Sequence, residues 1–164
     1  MTDTTSTPSQ SARRRPGMAG RIEARLASIP GSVPLLALRL ALAVPFFKSG
    51  LTKWSGFLQL SDGARYLFTQ EFKLHVLGSE IAYPFPVAMA TASGVCEIVL
   101  PILLAVGLGT RFAALGLLAM TALIQLTVPD GWANFHLPWA AMALTLAVFG
   151  AGRVSLDSVI ARGR

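Results

Sequence analysis

The feature that most constrains the fold is the apolar stretch from Tyr83 to Gly107, which contains a single charged residue, Glu97. A helix needs about 20 predominantly apolar residues to cross the hydrocarbon core of a bilayer, and this stretch is long enough. A carboxylate inside such a segment costs about 2.5–3.5 kcal/mol on insertion scales. The stretch therefore predicts a membrane-spanning helix in which Glu97 has either a partner or a function.

Three further apolar segments accompany this one. Together they predict spans at about residues 33–54, 83–106, 111–128 and 134–149. Charged residues make up 13% of the chain, about half the share in a soluble domain. The links after the second and third spans are short and rich in turn residues, which favours antiparallel neighbours. The predicted fold class is an all-α membrane protein, an up-down-up-down bundle of four transmembrane helices.

The rest of the chain divides by composition. Residues 1–17 are rich in Ser, Thr and Pro and predict a disordered tail, because such a segment has too little apolar surface to bury a core. Residues 18–30 show apolar residues at helical spacing and predict a short amphipathic helix on the cytoplasmic surface. The membrane domain is expected at 31–158 and a basic tail at 159–164. In the outer connection, 55–82, the spacing of apolar residues predicts a short amphipathic helix over the mouth of the bundle.

The basic residues are concentrated at the two ends of the chain, which has a net charge of +6. With both termini inside, nine Lys and Arg residues lie on that side, and the opposite side carries Lys53, Arg65 and Lys73. Positive-inside counting therefore predicts a multi-pass protein of the plasma (inner) membrane with both termini in the cytoplasm. The same distribution argues for contact with lipid and against binding to nucleic acid.

The chain has few residues for redox or metal chemistry. Its single cysteine, Cys96, excludes an intrachain disulfide, a CxxC pair and a cysteine-ligated iron–sulfur cluster. With only two histidines, His75 and His136, no self-contained zinc or bis-histidine haem site and no other metal site is expected. Any electron chemistry would therefore need a partner protein.

Arg39 in the first span is the predicted partner of Glu97. It lies six residues, roughly 9 Å, inside its span, and Glu97 lies nine residues, roughly 14 Å, from the same side of the membrane. A long arginine side chain could close that difference. Two interpretations stay open: a structural lock that fixes the helix register, or a ligand or proton site lined by the pair.

Four more residues are site candidates. Lys53 returns to nearly the face of Arg39 at the outer boundary, where it is either an interfacial anchor or a site residue. Gln125 and His136 lie at the outer ends of the third and fourth spans. His136 either binds the polar head of a ligand or caps the start of its helix. Trp139 is either an interfacial aromatic residue or a stacking surface for a planar ring.

The order and spacing of several motifs resemble the DoxX family of small four-span bacterial and archaeal membrane proteins. These are Arg39, Phe-Phe-Lys-Ser-Gly-Leu-Thr-Lys-Trp at 46–54, Glu97, Leu-Leu-Ala-Val-Gly-Leu-Gly-Thr-Arg at 103–111, His-Leu-Pro-Trp at 136–139 and Gly-Ala-Gly-Arg-Val-Ser-Leu-Asp at 150–157. The segment 66–72, Tyr-Leu-Phe-Thr-Gln-Glu-Phe, is similar to the outer loop of a subgroup labelled as oxidoreductases.

The resemblance implies a role without naming a reaction. The family takes its name from the small subunit of a thiosulfate:quinone oxidoreductase, and Arg39 and Glu97 correspond to its recurrent polar residues. One hypothesis is therefore a membrane subunit of a redox complex that binds a quinone-like or other small ligand near Arg39 and Glu97. The alternative is a non-catalytic membrane anchor or transporter-like component that recruits a partner protein. A bundle of this size is also compatible with a homo-oligomer.

Overall fold

The computed structural model describes residues 17–163, which form two compact units divided between Pro30 and Gly31. The first unit contains helix α1 (Met18–Ala27), which lies within the segment predicted as an amphipathic helix. Its apolar side chains, such as Ile22 and Leu26, are exposed. The predicted disordered tail lies outside the described residues, apart from Gly17.

The second unit contains the other described helices and the strands. In chain order it consists of α2 (Ser32–Thr52), β1 (Trp54–Gly56), β2 (Gln59–Leu60), α3 (Asp62–Tyr66), β3 (Lys73–Val76), β4 (Ser79–Ala82), α4 (Pro86–Val106), α5 (Thr110–Thr127), α6 (Leu137–Phe149) and α7 (Leu156–Arg162). A π-helical turn, Leu67–Glu71, continues α3. A 3₁₀ turn, Pro129–Gly131, and a second π-helical turn, Trp132–His136, lead into α6.

Three of the helices are long and apolar enough to cross a membrane. They are α2, α4 and α5, with 21, 21 and 18 residues and mean hydropathies of 1.4, 2.0 and 1.4. Helix α6 has 13 residues and is about 20 Å long, which is short for a span on its own. The preceding π-helical turn adds five residues at its start.

Helices α2, α4, α5 and α6 pack in a ring, in which α2 and α5 each contact both α4 and α6. Their shared core is apolar and consists of Leu42, Ala43, Phe46, Leu104, Ala113, Ala114, Leu117, Ala143 and Leu146. Glycine allows a close helix contact: a Cβ at Gly50 of α2 would lie 2.9 Å from the backbone carbon and oxygen of Glu97 in α4. Small residues at such positions let helices approach closely, as is common in membrane bundles.

The outer connection is more structured than the single predicted helix. Two antiparallel hairpins, β1–β2 and β3–β4, flank the helix formed by α3 and its π-helical turn. The periodicity correctly indicated the helix, where Ala64 and Phe68 are buried. It missed the hairpins because their strands are only two to four residues long, too short for a period-2 pattern.

The predicted basic tail at 159–164 is also partly structured, because α7 extends to Arg162. Ser155 begins this helix, and its side chain accepts a hydrogen bond from the backbone N–H of Ser158 at 3.2 Å. A serine in this position satisfies a backbone donor that would otherwise have no partner. The segment after α6 folds back onto the bundle, where the backbone N–H of Asp157 donates to the carbonyl of Gly107 at 2.8 Å.

Candidate functional site

Glu97 forms an ion pair with Lys53, and the predicted pair with Arg39 is wrong. The Lys53 Nζ lies 2.6 Å from Glu97 Oε2, and the two side chains are 12% and 3% exposed. Ser93, one turn before Glu97, donates its hydroxyl to Oε1 at 2.9 Å. Lys53 also donates to Ser49 Oγ at 3.2 Å. Each carboxylate oxygen of Glu97 therefore accepts a hydrogen bond, and its charge is balanced by Lys53 at the end of α2.

Arg39 instead binds only backbone carbonyl groups. Its guanidinium donates to the oxygens of Leu104 and Ala105 in the last turn of α4, and to Ala151 and Val154 after α6, over 2.5–3.1 Å. The last carbonyls of a helix have no partner within the helix and carry its negative dipole end. A cation with several donors is well suited to that place. Arg39 is consequently a clamp that joins three segments.

The prediction was wrong because α2 and α4 do not end at the same level. The predicted depths of Arg39 and Glu97 assume that the first span starts at the same level in the membrane as the second span ends. In the structure Arg39, seven residues into α2, lies opposite Leu104, two residues before the end of α4. The first turns of α2 extend past α4 and contact the segment after α6, where a Cβ at Gly152 would lie 3.1 Å from the Cα of Ser32.

Two glycines shape the surroundings of Arg39. Gly107 ends α4 with a φ of 74°, and a Cβ there would lie 2.8 Å from Arg39 Nη2 and 2.5 Å from Ser155 Cβ. Gly109 begins α5 with a φ of 57° and has open space around its Cα. Only glycine adopts this left-handed backbone conformation at little cost. The Gly-Leu-Gly motif is therefore required by the turn and by the arginine.

Asp157 completes this end of the bundle. Its carboxylate accepts hydrogen bonds from the backbone N–H groups of Gly109 and Thr110 at 2.8 and 3.0 Å. Burial raises the pKa of Asp157, but these hydrogen bonds and the charge of Arg39 lower it more, so the pKa lies below its usual value. A carboxylate at the start of α5 also complements the positive end of the helix dipole.

A cavity of about 320 Å³ lies beside the Lys53–Glu97 pair, between α2, α4 and α5. Lys53, Glu97, Ser49, Ser93 and Cys96 line its polar end. Most of the remaining wall is apolar and includes Met89, Met120, Leu123 and Ile124. A largely apolar cavity with a few polar groups at one place is typical of a binding site for a small molecule.

Aromatic residues from distant parts of the chain form much of the cavity wall. Phe68 and Phe72 come from the outer connection, and Tyr83 precedes α4. The Phe68 ring lies 5.2 Å from Phe72 and 5.6 Å from Tyr83 between centroids. The Tyr83 hydroxyl is 2.5 Å from Thr127 Oγ1 at the end of α5. The outer connection is thus tied to the bundle and covers part of the cavity.

Of the six candidate residues, Lys53, Glu97 and Trp139 line the cavity, and Arg39, Gln125 and His136 do not. His136 Nδ1 is 2.6 Å from Gln125 Oε1, so these two residues bind each other. The His136 ring lies 5.6 Å from the Trp139 ring between centroids, and Trp139 lies 5.0 Å from Phe46. His136 is therefore next to the site through its contact with Trp139.

Ser93 and two aromatic residues of the outer connection, Phe68 and Phe72, line the cavity but were not predicted as site residues. Ser93 lies four residues before Glu97, and this spacing places two side chains on the same helix face. That signal was present in the sequence. The spacing of apolar residues predicted the helix that carries Phe68, but the contact of Phe68 and Phe72 with the cavity depends on how residues 54–82 fold against the bundle, for which the sequence has no local signal. Within residues 17–163 no cluster of three or more His, Cys, Asp or Glu side chains is arranged to hold a metal ion.

Three apolar helices of spanning length, packed together in one unit, define a multi-pass membrane protein. The family model described as DoxX matches residues 34–130, more than half of the chain, and the protein therefore belongs to the DoxX family. An "Uncharacterized protein" of Haemophilus influenzae is 30% identical over 153 residues, which cover 84% of this chain and 90% of that protein. No solved structure matches the chain.

Proposed function

We propose that this protein is the membrane subunit of a redox complex and binds a small, largely apolar ligand, such as a quinone, beside Lys53 and Glu97. The cavity between α2, α4 and α5 is the observation that carries the proposal. Its volume of about 320 Å³ lies within the usual range for small-molecule sites. The Lys53–Glu97 pair takes the place of the predicted Arg39–Glu97 pair as the polar end of the site.

The proposed protein crosses the plasma (inner) membrane four times, with both termini in the cytoplasm. The fourth span consists of the π-helical turn at Trp132–His136 and α6, together about 27 Å long. Positive-inside counting supports this orientation, because the basic residues are concentrated in the two terminal segments. The cavity then lies in the outer half of the bundle, and the outer connection covers it.

In this proposal a partner protein supplies the electrons. The residues that line the cavity include ionisable groups that can donate and accept protons, namely Lys53 and Glu97. Lys53 would donate a hydrogen bond to the polar head of the ligand, and Glu97 and Ser93 would hold the lysine in place. Arg39 has a structural role, because all four of its hydrogen bonds go to backbone carbonyls.

The test is to identify what copurifies with the protein. The protein would be purified in a mild detergent, extracted with organic solvent, and the extract analysed by mass spectrometry. We expect an apolar compound in about stoichiometric amount in the wild type. It should be lost in Cys96→Trp, which fills the cavity, and retained in the control Val99→Trp, because Val99 of α4 is exposed and does not line the cavity.

The same preparation distinguishes the proposal from a non-catalytic anchor. For a redox subunit, Glu97→Gln should lower electron transfer by the partner complex in membranes while the complex stays assembled. An anchor would instead lose assembly with its partner, and the electron transfer of the assembled fraction would be unchanged. A ligand-free wild type together with this second result would refute the proposed function.

A further inference from the structure

We infer that the cavity selects an uncharged, flat aromatic ligand that accepts one hydrogen bond from Lys53. The inference rests on the proposed ligand-binding function and specifies the chemical class of the ligand. It depends on three properties of the site: the sum of its charges, the donors and acceptors that are already occupied, and the rings in its wall.

The charges of the cavity wall sum to zero. Lys53 and Glu97 are the only charged residues among those that line the cavity, and their side chains are 2.6 Å apart. The sum stays zero wherever the shared proton lies, because an ammonium–carboxylate pair and an amine–carboxylic acid pair are both neutral overall. A charged ligand would therefore bring an uncompensated charge into an apolar site, which is costly.

The hydrogen bonds of the pair leave one N–H donor of Lys53 for the ligand. Ser93 and Lys53 each donate to one oxygen of Glu97, at 2.9 and 2.6 Å. The Lys53 ammonium has three N–H groups, of which Ser49 and Glu97 accept two. Among the described residues the third N–H has no acceptor, and Lys53 lines the cavity. A ligand carbonyl or ether oxygen would satisfy it.

The wall of the cavity suits a flat ring. Five aromatic side chains line it: Phe46, Phe68, Phe72, Tyr83 and Trp139. The hydroxyl of Tyr83 is bound to Thr127, so this residue presents mainly its ring. Aromatic pairs prefer offset or edge-to-face contacts with centroids about 4.5–7 Å apart, and a bound ring could make several such contacts here.

The test uses four naphthalene probes that differ only in one substituent. They are 2-acetylnaphthalene (a neutral acceptor), 2-ethylnaphthalene (neutral, no acceptor), 2-naphthoate (an anion) and 2-naphthylmethylammonium (a cation). Binding to the full-length protein in lipid nanodiscs would be measured by equilibrium dialysis, with protein-free nanodiscs as the blank. We expect the acetyl probe to bind at least about tenfold more tightly than the other three, as a hydrogen bond to a charged donor allows.

Variants that remove one charge show whether the Lys53–Glu97 pair sets the charge preference of the site. Glu97→Gln leaves the site with one positive charge, and its preference should change to naphthoate by about tenfold or more. Lys53→Gln leaves one negative charge and should favour the ammonium probe. In the double variant the site is neutral again, so it should bind the neutral probes more tightly than the charged ones. Lys48→Gln is the matched control, because Lys48 of α2 is exposed and does not line the cavity, and its probe ranking should equal that of the wild type.

The outcomes separate this inference from the proposed function. If naphthoate, the ammonium probe or the ethyl probe binds wild type as tightly as the acetyl probe does, the site binds ligands but the inference is wrong. If none of the four probes binds above the blank, the proposed ligand site itself is refuted. A single variant that fails to fold, as judged by its elution in size-exclusion chromatography, leaves the wild-type ranking and the double variant as the deciding measurements.

Discussion

Lys53 at the end of α2 and Glu97 in the middle of α4 form a buried ion pair, with 2.6 Å between Nζ and Oε2. One turn before Lys53, Gly50 lies directly against the backbone of Glu97. Fourteen residues before Lys53, Arg39 binds the last turn of the same helix α4. The register between α2 and α4 is therefore fixed at two places about 21 Å apart along α2.

Removing both partners of the ion pair should be less harmful than removing one. Lys53→Met or Glu97→Gln alone leaves a buried charge without its partner, and we expect a loss of about 3–5 kcal/mol for such a change. The double variant should lose less than the sum of the single variants. Thermal unfolding in detergent, analysed as a double-mutant cycle, measures this coupling. The corresponding cycle for Arg39 and Glu97 should be additive, and strong coupling there would contradict the structure.

A lysine should not be able to perform the role of Arg39, so Arg39→Lys should lower the stability of the protein. A lysine ammonium has three donors on a flexible chain, whereas the guanidinium of Arg39 reaches four carbonyl oxygens on two segments. The hydrogen bonds to Leu104 and Ala151 are buried, and leaving a buried carbonyl unsatisfied costs about 1–3 kcal/mol. We expect a loss of at least about 2 kcal/mol in the free energy of unfolding, measured by thermal or denaturant unfolding in detergent. Stability equal to the wild type would show that Arg39 is not a clamp.

Gly107→Ala and Gly109→Ala should differ in their cost. Both glycines have positive φ, so each alanine should lose about 1–2 kcal/mol from the backbone conformation. Only Gly107 also lacks space, because a Cβ would lie 2.5 Å from Ser155 Cβ and 2.8 Å from Arg39 Nη2. The melting temperature of Gly107→Ala should therefore fall well below that of Gly109→Ala. Equal melting temperatures would mean that the side chains of Arg39 and Ser155 move away from the new Cβ at little cost in free energy.

Asp157 should make stability depend on pH. Because its folded-state pKa lies below the unfolded value, the carboxylate contributes stability that is fully present above about pH 4. This contribution is lost as the pH falls through the lower, folded-state pKa. Comparable hydrogen bonds to helix N-termini are worth roughly 0.5–2 kcal/mol. Unfolding measured from pH 6 to pH 3 should show this loss in the wild type and a smaller one in Asp157→Asn, which keeps an oxygen acceptor without the charge. Parallel curves for the two proteins would refute this role of Asp157.

The sequence by itself determined the membrane class and most of the helix limits. Hydrophobicity is a local property of a segment. For this reason the ends predicted for the spans at 33–54, 83–106 and 111–128 each lie within three residues of the corresponding helix end in the structure. It also indicated that Glu97 has either a partner or a function. Ser93 and Gly94, on the same face, are in contact with Glu97 and with Trp54 respectively.

Only the tertiary structure decided which cation neutralises Glu97. Arg39 and Lys53 lie fourteen residues apart on nearly the same face of one helix, so both satisfied the periodicity of the sequence. The choice depends on how far α2 is shifted along α4. That shift follows from long-range contacts: Gly50 against Glu97, and Arg39 against carbonyls near the end of α4 and after α6. The cavity has the same origin, because its wall joins the outer connection to helices far from it in the chain.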